Sequence, residues 1–185
     1  GKDSGSLIYK NDLKIGYLEQ SPIFNHDESV LEACFNHENS EELVIKYKQI
    51  LTQLKIKNFD QLMGQLSGGQ QKRVALANVL ITEPNFIIMD EPTNHLDLEM
   101  IEWLEGYLNR GTKTLLMVTH DRFFLDRVCN TILELDNEQI YTYRGNYSYY
   151  LEKRQERIDN TRSEIARANN LYRTELEWMR RMPQA

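Results

Sequence analysis

LSGGQQKRVALANVLITEPNFIIMDEPTNHLD, running from Leu66 to Asp97, decides how this chain folds. Ser67 is a favourable helix N-cap, and Gly68 and Gly69 let a ligand approach the backbone closely at a helix start. Exposed N–H groups and the helix dipole make such an end an anion site. A helix is predicted over 69–82, carrying Arg73, Ala75, Leu76 and Ala77. Phe86 to Met89 is then an apolar run without polar alternation, as expected of a strand covered on both faces. It delivers Asp90 and Glu91 at its carboxyl end, the edge where open α/β sheets bind ligands. Alone, the glycines read equally well as a plain turn. The strand and carboxylate pair sixteen residues beyond Gln70 favour the anion site.

Outward from this stretch the pattern is α/β. Leu13, Ile15 and Tyr17 alternate with polar residues and predict a strand over Leu13–Glu19 ending at Gln20. Residues 27–57 have helical spacing, with Asn39 and Glu42 placed as a capping box before Leu43, Tyr47, Ile50, Leu51 and Leu54. Leu115 to Val118 reads as a second strand covered on both faces. Helices are predicted at 97–109 and 121–129, and the alternation implies a parallel sheet. Ile132–Leu135 and Ile140–Tyr143 flank Asp136-Asn137-Glu138 as a hairpin.

The chain has 185 residues, 41% of them hydrophobic, and a formal net charge of −6. Its longest apolar runs are too short to span a bilayer. No signal segment opens it, so the cytoplasm is the expected compartment. Cys34 and Cys129 have no motif spacing and read as reduced structural thiols. Residues 1–150 hold 14 Lys and Arg against 22 Asp and Glu, net −8, whereas residues 151–185 hold 8 against 6, net +2. The change of sign sets a boundary near 150. Beyond Tyr147 one long helix is predicted, with Leu151, Ile158, Ile165, Tyr172 and Met179 recurring every seven residues. That stripe fits half of an antiparallel helical hairpin and equally a helix lying along the preceding domain. Pro183 marks a stop or turn.

The candidate chemistry is phosphoryl transfer. Asp90 is placed to hold magnesium, directly or through water, and Glu91 to orient and polarise an attacking water. His120 ends the next apolar strand, where it can reach the same corner and contact a γ-phosphate. A satisfied structural histidine is the alternative. Gln20, at another strand end, either binds magnesium and water or simply begins a loop. His26, His37 and His95 show no ligand spacing and receive no metal. The phosphate loop G-x-x-x-x-G-K-[ST] is absent from the 185 residues, and Gly1-Lys2-Asp3 does not fit it, since Asp follows the lysine.

Taken in order, Gln20, LSGGQ (Leu66–Gln70), FIIMDEPTNHLD (Phe86–Asp97) and VTHD (Val118–Asp121) resemble the Q-loop, signature, Walker B, D-loop and His-switch of an ATP-binding cassette. EPTNHLD stands where transporter cassettes usually have EPTSALD. With IEWLEGYL (Ile101–Leu108), THDRFFLD (Thr119–Asp126) and YRGNYSYYLEKR (Tyr143–Arg154), the chain is similar to the ABC-F ATPases, most closely their Uup-like branch. The opening GKDSG looks like the turn after the phosphate-loop helix of that family.

The resemblance implies a partial cassette over 1–149, comprising a parallel-sheet core with a helical subdomain at about 21–82. The first helix of an interdomain linker hairpin would follow over 150–185. It implies ATP and Mg2+ as ligands, with ATP sandwiched between two cassettes in one longer chain or in a dimer. Ser67, Gly68, Gly69 and Gln70 would then cap ATP held by the partner cassette. Gln20, Asp90, Glu91 and His120 would serve the cassette's own ATP, and Asp97 would lie at the interface between cassettes. It implies action on the ribosome, with the linker reaching toward transfer RNA, and no membrane. Without the phosphate loop, the 185 residues alone are expected to lack ATPase activity. A transporter cassette is disfavoured by NHLD and the appended helix. A chromosome-maintenance or repair ATPase is disfavoured because only 45 residues separate Gln20 from Leu66, leaving no room for an inserted coiled coil. A non-enzymatic interaction module is the remaining alternative.

Overall fold

The computed structural model describes Ser6, residues 8–34 and residues 41–181. Two compact units divide between Phe124 and Leu125. In the first, β1 (Ile15–Leu18), β2 (Phe86–Asp90) and β3 (Thr114–Val118) form a parallel sheet in that order. Leu18 aligns with Met89 and Met89 with Met117, so all three carboxyl ends reach one edge.

Between β1 and β2 lie α1 (Val30–Cys34), α2 (Glu41–Gln53), a 3-10 turn (Met63–Gln65) and α3 (Gly68–Ile81). The last of these helices is the centre of the core. Val74, Ala75, Leu76, Ala77, Val79, Leu80 and Ile81 are all buried, so it is apolar nearly all round. Each such large aliphatic side chain contributes about 1.5–3 kcal/mol. Between β2 and β3, α4 (Leu98–Leu108) buries Met100, Leu104 and Leu108, one stripe at four-residue spacing.

Three sequence expectations are corrected. The strand predicted over Leu13–Glu19 is shorter, and its buried face is the opposite one. Gly16 and Leu18 point inward, whereas Ile15 and Tyr17 are about half exposed. Gly16 is selected by space, since a Cβ there would stand 2.8 Å from Pro84 Cγ and 2.9 Å from Val79 Cγ1. β3 is not covered on both faces, and β2 is only half-covered on the face of Phe86 and Ile88. Ile87 and Met89 are buried, but Leu116 and Val118 are exposed at 45% and 63%.

The helical spacing over 27–57 resolves into two helices, α1 and α2. α1 is preceded by an unanticipated cap, in which Ser29 Oγ accepts from the Glu32 N–H and Glu32 Oε2 accepts from the Ser29 N–H. Lys55, at φ +57, ends the α2 segment, and the Ile56 N–H reaches back to the Leu51 carbonyl at 2.8 Å. Asn39, in the expected capping box, lies outside the described residues, as do Gly1, Lys2 and Asp3 with the rest of GKDSG.

α5 (Arg122–Val128) spans the division between the units. The second unit contains β4 (Thr131–Asp136), β5 (Gln139–Arg144) and α6 (Tyr147–Arg181). The two strands pair antiparallel, and the turn residues Asn137 and Glu138 both have positive φ, as a two-residue hairpin loop requires. Glu134, Tyr141 and Tyr143 share one hairpin face and meet α6. Arg157 donates to Glu134 Oε2 at 3.0 Å and to the Tyr143 hydroxyl at 3.1 Å, and its guanidinium lies 3.9 Å from the Tyr141 ring centre. Arg154 adds a 2.7 Å bond to Glu134 Oε1. Along α6, Leu151, Ile165, Tyr172 and Met179 are exposed. No helix among the described residues is long and apolar enough to cross a membrane.

Candidate functional site

Gln20 follows β1 by two residues, Asp90 ends β2 with Glu91 directly after it, and Thr119 and His120 follow β3 directly. The strand register brings these segments to one sheet edge. Gln20 is exposed and Asp90 half-buried.

Glu91 is buried, with 7% of its surface exposed. Its backbone has φ +48, a left-handed conformation that costs a non-glycine residue about 1–2 kcal/mol. The Glu91 N–H donates to the Val118 carbonyl at 2.8 Å, tying the turn to β3. Its Oε2 accepts from the Thr119 hydroxyl at 3.2 Å and from the His120 N–H at 3.4 Å. Its Oε1 is buried without a hydrogen-bond partner, and His120 Nε2 stands 3.6 Å away. The His120 side chain is otherwise 98% exposed, so it can meet both Glu91 and an incoming ligand. Thr119 is the Glu91 partner that sequence reasoning left without a role.

Lys72 is a second residue that sequence reasoning missed. It is 6% exposed, and its Nζ donates to the Asp90 carbonyl at 3.3 Å. Burial lowers its pKa, opposed by the charges of Asp90 and Glu91. A lysine within Gln70-Gln71-Lys72-Arg73 reads as a solvated face, and only the packing of α3 turns it inward.

At the start of α3, Ser67 caps as expected. Its Oγ accepts from the Gln70 N–H, and Gln70 Oε1 accepts from the Ser67 N–H at 2.9 Å. The Gln70 side chain thereby serves the capping box, and the N–H groups of Gly68 and Gly69 lie in the first turn, without intrahelical acceptors. Gly68 faces open space, whereas a Cβ on Gly69 would stand 3.0 Å from His95 Cβ. His95 therefore closes one side of the glycine turn. No hydrogen bond or ion pair among the described residues joins the side chains of Ser67 or Gln70 to Glu91 or His120.

Asp97 is the N-cap of α4, accepting from the Met100 N–H at 3.1 Å through Oδ1. Its Oδ2 pairs with Lys55 at 2.7 Å. The Lys55 hydrogen bond and the Met100 N–H hold its carboxyl below the usual aspartate range. Within this chain both oxygens of Asp97 are thus engaged. Asp121 similarly caps α5, accepting from the Phe124 N–H at 3.0 Å, and its own N–H donates to Thr119 Oγ1.

Hard oxygen donors, the amide of Gln20 and the carboxylate of Asp90, stand at the carboxyl-end edge of the sheet to which Glu91 also belongs. This set suits magnesium. Among the described residues no group of three or more His, Cys, Asp and Glu side chains forms a cation cage. Magnesium characteristically takes one or two protein carboxylates, with substrate phosphate oxygens and water completing its ligand set.

Two family models, both described as ABC transporter, match residues 7–94 and 133–185. YfmR of Bacillus subtilis, named as an uncharacterized ABC transporter ATP-binding protein, is 49% identical over 134 residues, 72% of this chain and 21% of that protein. The energy-dependent translational throttle protein EttA of Mycobacterium tuberculosis is 41% identical over 150 residues, 81% of this chain and 27% of that one. The ATP-binding protein Uup of Buchnera aphidicola is 34% identical over 172 residues, 88% of this chain and 29% of its own length. The chain thus spans less than a third of each of these three relatives. A dimeric post-hydrolysis structure of the ATP-binding cassette MJ0796, bound to ADP and Pi, superposes with a TM-score of 0.59. It is 25% identical, over 71% of this chain and 63% of the other. Sheet, signature turn, carboxylate pair and relatives agree: the chain belongs to the ATP-binding cassette proteins, among the ABC-F members that include EttA and Uup.

Proposed function

We propose that this chain is a segment of a longer ATPase that hydrolyses ATP to ADP and phosphate and acts on the ribosome. The observation that carries the hydrolytic reading is the Glu91 carboxylate, with one oxygen fixed by Thr119 and the His120 N–H and the other unsatisfied. A carboxylate so held can accept a hydrogen bond from a water at Oε1 and orient its attack on a γ-phosphate. His120 Nε2, beside that oxygen, is the donor for the transferring phosphoryl group. Asp90 and Gln20 would hold magnesium, which when bound neutralises charge on the triphosphate. The signature turn, Ser67 to Gln70, is the surface for ATP held by a second cassette. That arrangement is supported by the dimeric assembly of MJ0796.

Ribosome action is supported by the translational role in the name of EttA, at 41% identity over most of this chain. The basic helix from residue 150 onward is then the first arm of a linker directed at transfer RNA. Co-sedimentation of the full-length protein with ribosomes tests this reading. ATP-dependent pelleting supports it, and equal recovery with and without ribosomes contradicts it.

A further inference from the structure

Among the described residues the buried charged side chains are Lys72 and Glu91, and one peptide unit joins them. The carbonyl of the Asp90–Glu91 peptide accepts from Lys72 Nζ at 3.3 Å, and its N–H donates to the Val118 carbonyl at 2.8 Å. Both polar ends of the peptide are therefore held, one from α3 and one from β3. Directly after it, Glu91 sits at φ +48, which a non-glycine residue keeps only when its surroundings impose it. The same peptide plane sets the direction in which the Glu91 side chain leaves the strand end.

Lys72 stands five residues after Ser67 on the helix whose first turn is the signature. A displacement of that turn is thus carried by a stiff helix to the lysine and on to the peptide. Its ammonium has three donors and makes one hydrogen bond to a described residue. Burying such a group is unfavourable, and an apolar side chain of similar length would fill the space at no such cost. Packing alone therefore does not account for a lysine here.

We infer that Lys72 is a positioning residue, which pins the Asp90–Glu91 peptide and so couples the orientation of Glu91 to the signature end of α3. The inference rests on the reading of Glu91 as the group that orients the attacking water.

The test is single-turnover ATP hydrolysis and ATP affinity in the full-length protein, with thermal melting as the control for folding. Lys72→Met removes the donor at nearly constant volume. It is expected to slow hydrolysis about tenfold or more at unchanged ATP affinity, and to melt no lower than wild type. Lys72→Arg keeps a cationic donor and is expected to stay within about threefold of wild type. In a Glu91→Gln background, Lys72→Met should add no further loss. Wild-type hydrolysis in Lys72→Met overturns the inference, as does an equal loss in both backgrounds or a loss shared with ATP affinity. If Lys72→Met does not fold, Lys72→Gln is read by the same outcomes. A slow Glu91→Gln beside a fast Lys72→Met removes only the role of Lys72. An unimpaired Glu91→Gln removes the reading of Glu91 itself.

Discussion

His120 meets Glu91 twice. Its N–H donates to Oε2 at 3.4 Å, and its ring Nε2 lies 3.6 Å from Oε1. The first contact belongs to the backbone and persists whatever side chain stands at 120. The second belongs to an exposed imidazole, free to turn toward a ligand. One residue thereby fixes one oxygen of the carboxylate and stands beside the other, which is buried without a hydrogen-bond partner.

The Thr119 hydroxyl completes this hold, donating to Glu91 Oε2 and accepting from the Asp121 N–H. Thr119→Val keeps the shape and removes both bonds. A lost bond worth about 1 kcal/mol lowers the steady-state rate of the full-length ATPase about fivefold, with Thr119→Ser close to wild type. Equal rates for Thr119→Val and wild type would exclude this orienting role.

Gly16 is where β1 comes against Pro84 and Val79. In Gly16→Ala the added methyl must push Pro84 Cγ away from 2.8 Å. Overpacking of this kind costs about 1–3 kcal/mol, measured as a lower midpoint in urea unfolding followed by circular dichroism. An unchanged midpoint would show that β1 and the turn at Pro84 separate freely.

The carboxyl of Glu134 responds to acid in a defined direction. Its burial opposes ionisation. Hydrogen bonds from Arg154 and Tyr143, with the charges of Arg157 and Arg154, outweigh that and hold its pKa below the ordinary 4.5. A depressed folded-state pKa contributes stability that is present above the unfolded value and lost as pH falls through the folded one. Between about pH 5 and pH 2, wild type should therefore lose stability more steeply than Glu134→Gln, which starts lower at neutral pH. Parallel pH profiles in urea melts would contradict this.

The strand Phe86–Asp90 and the Ser67 cap of α3 were legible in sequence because their signals are local, an apolar run ending in two acids and a serine before paired glycines. Thr119 was not legible as a Glu91 partner, because their contact depends on the register of β3 against β2. The inward face of β1 was misread because Gly16 contributes by occupying little space, which a hydrophobic alternation cannot register. The burial of Lys72 was not legible, because it is a property of the whole packing around α3.

Glu91 is the residue on which the hydrolytic reading turns, and the most direct measurement is single-turnover hydrolysis of bound ATP by the full-length Glu91→Gln variant. The amide keeps the shape and the bond from Thr119 but loses the charge that polarises water. Hydrolysis is expected to fall at least about a hundredfold while ATP still binds. Wild-type turnover in this variant would contradict the assignment of Glu91 as the residue that activates water.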